Sequence, residues 1–199
     1  MTTHDATHDN AAHGSEPIDL RKLGMWIFLS SECIFFGTLI ITFLVSRARS
    51  AQLPGPDGEV LNISITTIIT FILLLSSLTM VLSLEGFQHD NIRQGQMWLV
   101  ATIVLGTIFV GTQVYEYTQL VHEGLTLTSN LFGSAFYTLT GFHGTHVFIG
   151  VLLLLSLLLM SRSGKLNARN FLPVELIGLY WHFVDLVWLV IFTLVYLLK

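Results

Sequence analysis

Charge is scarce in this chain: 11% of its 199 residues are Asp, Glu, Lys or Arg, against 52% hydrophobic ones. A water-soluble globule of this size needs a polar surface that such a composition does not supply. Cysteine is nearly absent, and Cys33 alone allows neither an intrachain disulfide nor a thiolate metal cluster. The short alternating segments of a β-barrel are missing. Internal repeats and matched interrupted helices are missing too, which argues against an inverted-repeat, proton-coupled carrier. The polar stretch before Arg21 has neither an apolar core nor a small-residue cleavage site, so it does not read as a cleavable signal peptide.

What the chain does have is length of apolar run. Five stretches of about 20 residues or more can each cross a bilayer as a helix. They run approximately over 23–46, 63–84, 97–120, 131–160 and 174–198. The last two exceed the minimum span, which permits tilt. The fold class expected is therefore all-α, a polytopic membrane bundle with five transmembrane helices spread over residues 21–199. Residues 1–20 read as a flexible polar tail. Its His4, His8 and His13 lack the preorganised geometry of a metal site. Gln52 to Gly58, with Pro54, Gly55 and Pro56, is turn chemistry between the first two spans, and Arg162-Ser163-Gly164-Lys165 is a polar break before the fifth.

The basic residues suggest an orientation. Arg21, Lys22, Arg93, Arg162, Lys165 and Arg169 fall on one side of the proposed membrane, and Arg47, Arg49 and Lys199 on the other. Lys and Arg concentrate in cytoplasmic flanks, so the N-terminus is expected in the cytoplasm and the C-terminus outside. Trp26, Trp98, Tyr180 and Trp181 lie near proposed span ends, where aromatic rings favour the interface, while Trp188 lies deeper.

Ionisable residues inside apolar spans are costly, about 3 kcal/mol on insertion scales, so each calls for a partner or a purpose. Glu32 sits near the middle of the first span and is a candidate proton-relay group, or else a neutral acid bonded to a neighbouring helix or a lipid headgroup. A relay needs a second titratable group, and the first span offers only Ser30, Ser31 and Thr38 besides. His143 and His146 are three apart on one helix face, as are His182 and Asp185. Such faces could hold haem or zinc, but the first pair is too close along one face to clamp a planar haem from both sides. The alternative is interhelical hydrogen bonding, with His182 donating to a carbonyl or to Asp185. Gln113, Glu116 and Tyr117 form another group, with Glu116 near enough to its span's end to reach the headgroup layer. Gly141, Gly144 and Gly150 around the histidines permit close helix approach.

Three blocks carry a resemblance to a known family. Gly141-Phe142-His143-Gly144-Thr145-His146-Val147 resembles the G-x-H-G-x-H-V motif of subunit III of haem-copper terminal oxidases, the cytochrome c and quinol oxidases. Trp181-His182-Phe183-Val184-Asp185-Leu186-Val187-Trp188 is similar to that family's W-H-F-x-D-x-V-W signature, and Gln113, Glu116 and Tyr117 to its Q-x-x-E-Y ending. Ser31-Glu32 matches a further block, and by that resemblance Glu32 is the family's buried, carbodiimide-reactive acid. The likeness covers roughly Leu20 to Lys199 and fits the short, five-helix bacterial form, without the two extra helices that wall a lipid cleft in longer members.

The resemblance implies a non-redox subunit with no cofactor of its own. Haem and copper would sit in the partner catalytic subunit, which reduces oxygen to water and pumps protons. The expected partners are oxidase subunit I by direct contact, subunit II, a small subunit IV in some assemblies, and membrane phospholipids; no nucleic acid is expected. The implied role is support: binding lipid, protecting the catalytic subunit from inactivation during turnover, and maintaining proton uptake at a bacterial cell membrane. Two alternatives remain open at this point. One is a membrane cytochrome holding haem through His143, His146 and His182; the other is a subunit III-like accessory protein of a nitric oxide reductase.

Overall fold

The computed structural model describes residues 19–50, 63–166 and 170–197. The tail with its three histidines, the Gln52–Gly58 turn, Arg169 and Lys199 lie outside the described residues. Five long helices account for nearly everything else: α1 Leu20–Ser50, α2 Ile63–Gln88, α3 Ile92–His122, α4 Leu131–Arg162 and α5 Leu172–Phe192, which ends in a π-helical turn at Thr193–Leu197. All five are long and apolar enough to cross a membrane. The helices outrun most of the apolar stretches. α1 extends through Arg47 and Arg49, and α3 begins five residues before Met97, because backbone pairing continues into the polar layer once a helix is nucleated. α1, α3 and α4, at 31, 31 and 32 residues, are the long members, and α5 with its π-helical turn makes a fifth span over Leu172–Leu197.

Helix ends follow from local chemistry. Asn91 caps α3 by accepting from the Gln94 amide, and Asn130 caps α4 by accepting from the Gly133 amide at 2.6 Å. Gly124 and Gly164 take positive φ just past α3 and α4, where a Cβ would be strained. Pro173 occupies the first turn of α5, the position where its missing N–H has no helical acceptor to lose.

α2 and α3 form a tight hairpin. A Cβ on Gly86 would lie 2.6 Å from the Gly95 backbone nitrogen, and Ser83 donates to the Gly95 carbonyl at 2.9 Å. α2, α3, α4 and α5 make a four-helix bundle, and α1 lies along the seam between α4 and α5. α1 and α2 are not a packed pair, although both pack on α5. The interior holds Phe36, Phe87, Phe109, Phe136, Leu154 and Trp181, while Ile34, Phe71 and Leu186 face outward with many other large apolar residues. In water such an exterior would aggregate; in a bilayer it is the expected surface.

Candidate functional site

The polar residues singled out by sequence do not converge on one centre. They divide into four small groups that tie helices together at different depths.

The first joins α1 to α4. Glu32 lies twelve residues into α1, about 18 Å along it. Its Oε2 is 3.2 Å from His146 Nε2, both side chains being mostly buried, though not aligned as a good hydrogen bond. His146 Nδ1 is 2.7 Å from the Phe142 carbonyl. A carbonyl only accepts, so Nδ1 carries a proton, and Nε2 is the nitrogen turned toward Glu32. The second titratable group that a relay at Glu32 would need thus comes from α4, and Phe35 and Phe36 pack against its imidazole.

His143, one turn away, has a different fate. It is fully buried, its ring stacked on Trp188 at 4.8 Å and flanked edgewise by Phe36 and Phe109, and neither ring nitrogen has a hydrogen-bond partner. Motif spacing treated His143 and His146 as a pair; the structure separates their surroundings.

The third group lies between α2 and α5. The expected bond between His182 and Asp185 is not formed. His182 Nδ1 instead meets the Ser77 hydroxyl of α2 at 2.6 Å. Asp185 is 3% exposed with both carboxyl oxygens unpartnered. The reason is direction: residues three apart share a face, but a neighbouring helix reaches the imidazole first. Next to this group, Trp181 donates to Ser76 and Trp188 to Thr70, each at 3.0 Å. Trp181 is therefore no interfacial anchor. Its indole is buried, wedged against Gly106 and Gly150, and Tyr180 is buried as well, donating to the His146 carbonyl.

Gln113, Glu116 and Tyr117 share a face of α3 but serve different neighbours. Gln113 donates to the Thr140 carbonyl at 2.8 Å, and Tyr117 to the Thr140 hydroxyl at 2.8 Å. Gly144 makes this possible, since a Cβ there would lie 2.5 Å from the Gln113 amide oxygen. Glu116 turns the other way, its Oε1 accepting from Tyr196 at 2.9 Å and from Thr66 at 3.2 Å. Tyr196, Ser77 and Thr66 escaped the sequence reading. The available signal was the row of hydroxyls at Thr66, Thr70 and Ser77, which share one face of α2.

Among the described residues no three His, Cys, Asp or Glu side chains gather as metal ligands. His146 meets the Phe142 carbonyl of its own helix and Glu32 of α1, and His182 meets Ser77 of α2.

Comparison with known proteins agrees with the motifs. The model of the family described as cytochrome c oxidase subunit III matches residues 3–199. A cytochrome c oxidase subunit 3 from Thermostichus vulcanus is 41% identical over 187 residues, 94% of this chain and 91% of its own length. From Bacillus subtilis (strain 168), a cytochrome c oxidase subunit 3 is 41% identical over 88% of this chain and 85% of its own. A quinol oxidase subunit 3 of the same strain is 37% identical over 97% and 96%. With five spanning helices, the motif residues placed at helix contacts and relatives matching almost end to end, this chain belongs to the cytochrome c oxidase subunit III family.

Proposed function

We propose that the chain is the third, non-redox subunit of a proton-pumping aerobic terminal oxidase, bound directly to the catalytic subunit I that carries haem and copper. Subunit II, a small subunit IV and ordered phospholipid complete its surroundings. It sits in the bacterial cell membrane with its N-terminus in the cytoplasm. Its task is to hold lipid, protect the catalytic subunit during turnover and sustain proton uptake.

The observation that carries this reading is the near full-length match to subunits named for both cytochrome c and quinol oxidases. The cross-linking use of His146 and His182, and the enclosure of His143 by aromatic rings, support it over a haem-binding cytochrome. The Glu32–His146 pair is then a joint between α1 and the bundle, outside the redox centres. The test is Glu32→Gln in the assembled oxidase. The haem spectrum and initial rate of oxygen consumption should match the parent, while activity fades sooner under sustained turnover. Immediate loss of oxygen reduction in a normally assembled complex would overturn the supporting role.

A further inference from the structure

We propose that the furrow between α1 and α2, floored by α5, is the seat of a transmembrane helix from another oxidase subunit, which forms a hydrogen bond with His182 Nε2. The proposal rests on the oxidase-subunit reading and names the face that reading leaves open.

The furrow follows from how the helices meet. α1 reaches α5 through Phe36 against Phe183, with Lys22 on Glu175 at one end and Arg47 on the Leu194 carbonyl at the other. α2 reaches the opposite flank of α5 through Thr70, Ser77 and Met80. Since α1 and α2 do not pack on one another, a strip of α5 is left open between them. That strip is Leu179, His182, Leu186 and Val190, at spacings of three, four and four, which keep to one helix face. Leu186 is 62% exposed and Val190 40%. Leu74 and Val81, three before and four after Ser77, line the α2 side.

The α1 side is lined by small residues. Glu32 and Phe35 face α4, so Ser30, Cys33 and Gly37 lie on the opposite side of Phe36, toward the furrow. A Cβ on Gly37 would meet nothing within 4 Å, unlike one on Gly86, Gly106, Gly144 or Gly150. Among the described residues nothing packs against that side of Gly37, and a low wall of small side chains admits a helix backbone closely.

His182 decides the occupant. It lies ten residues into α5, about 15 Å along it and so near mid-depth. Its Nδ1 is taken by Ser77, but nothing among the described residues bonds Nε2, which is not sealed inside the protein. Acyl chains offer it no partner, and a polar nitrogen left in hydrocarbon is costly. With Nδ1 engaged by Ser77, Nε2 is the ring nitrogen left for a partner from outside the chain, and an imidazole nitrogen can donate or accept according to its tautomer. What is missing is a hydrogen-bonding group at mid-depth: a Ser, Thr, Asn or Gln side chain on a helix seated in the furrow.

The experiment places a photo-crosslinking p-benzoylphenylalanine at Leu186 or Val81 in the furrow, or at Val114 or Phe148 on the α3–α4 face, and irradiates the assembled complex in native membranes. Adducts with another oxidase subunit from Leu186 and Val81, with none from Val114 and Phe148, are expected. Furrow positions that yield only lipid adducts or a second copy of this chain, or subunit adducts confined to Val114 and Phe148, overturn the docking while leaving the oxidase reading intact. A chain that purifies with no oxidase subunit removes both. In the same complex, His182→Leu should lower retention of the chain through a detergent wash about tenfold, and His182→Gln should restore it. Equal retention of His182→Leu and parent refutes the hydrogen bond.

Discussion

Replacing Gly106 by alanine is the sharpest probe of how this bundle is held. A Cβ there would lie 2.6 Å from Trp181 Cη2, 3.0 Å from Cζ2 and 3.1 Å from Val151 Cγ2. Carbon contacts settle near 3.5–4.0 Å, so a displacement of about 1 Å is required. Trp181 has nowhere to go: its other edge would lie 2.8 Å from a Cβ on Gly150, its Nε1 is bonded to Ser76, and it is fully buried. Overpacking of this kind costs about 1–3 kcal/mol, and the better helix propensity of alanine recovers at most about 1 kcal/mol. The net expectation is a loss of up to about 2 kcal/mol, from the balance of those two terms. Gly111 on the same helix is the control, since a Cβ there meets nothing within 4 Å; Gly111→Ala should be neutral or stabilising by up to about 1 kcal/mol. Unfolding in mixed detergent micelles, followed by helical circular dichroism, compares the two directly. On a Trp181→Phe background the Gly106→Ala penalty should shrink, because the narrower ring withdraws from α3. A Gly106→Ala protein as stable as Gly111→Ala would refute the wedge.

The same assay serves three further substitutions. Ser76→Ala should cost about 1–3 kcal/mol by leaving the buried Trp181 Nε1 without an acceptor; an unchanged midpoint would show that this bond adds nothing. Glu116→Gln should be tolerated, because an amide oxygen can still accept from Tyr196, whereas Glu116→Leu should lose about 1–3 kcal/mol as the buried Tyr196 and Thr66 hydroxyls lose their shared acceptor; equal behaviour of the two would count against the contact. Lys22→Ala should change stability by less than about 0.5 kcal/mol, since its ion pair with Glu175 is 43% and 27% exposed and well screened; a loss beyond 1.5 kcal/mol, well outside the range of exposed pairs, would mean the bridge governs how α1 docks.

The fold was legible because apolar length is a one-dimensional signal, and five such runs leave few alternatives. Helix ends were less so, since polar residues such as Arg47 and Arg49 continue a helix that hydropathy alone would stop. At the site, spacing placed residues on shared faces but not against partners. It grouped His143 with His146 and His182 with Asp185, whereas the folded chain pairs His146 with Glu32 and His182 with Ser77. Those partners lie 114 and 105 residues away in sequence, and which side chain arrives first depends on the rotation of each helix about its axis. Tyr180 and Trp181 were misplaced at an interface for a related reason. Aromatic rings favour membrane boundaries, but Gly106 and Gly150 open a slot deep in the bundle that an indole fills.

Mild-detergent purification of the tagged full chain, with co-purifying proteins identified by mass spectrometry and visible spectra taken before and after the complex is split, tests the central claim most directly. The account predicts recovery with a haem- and copper-bearing subunit, and colour that leaves with that subunit. A Soret band that stays with the isolated chain would contradict it and return His143, His146 and His182 to the role of haem ligands.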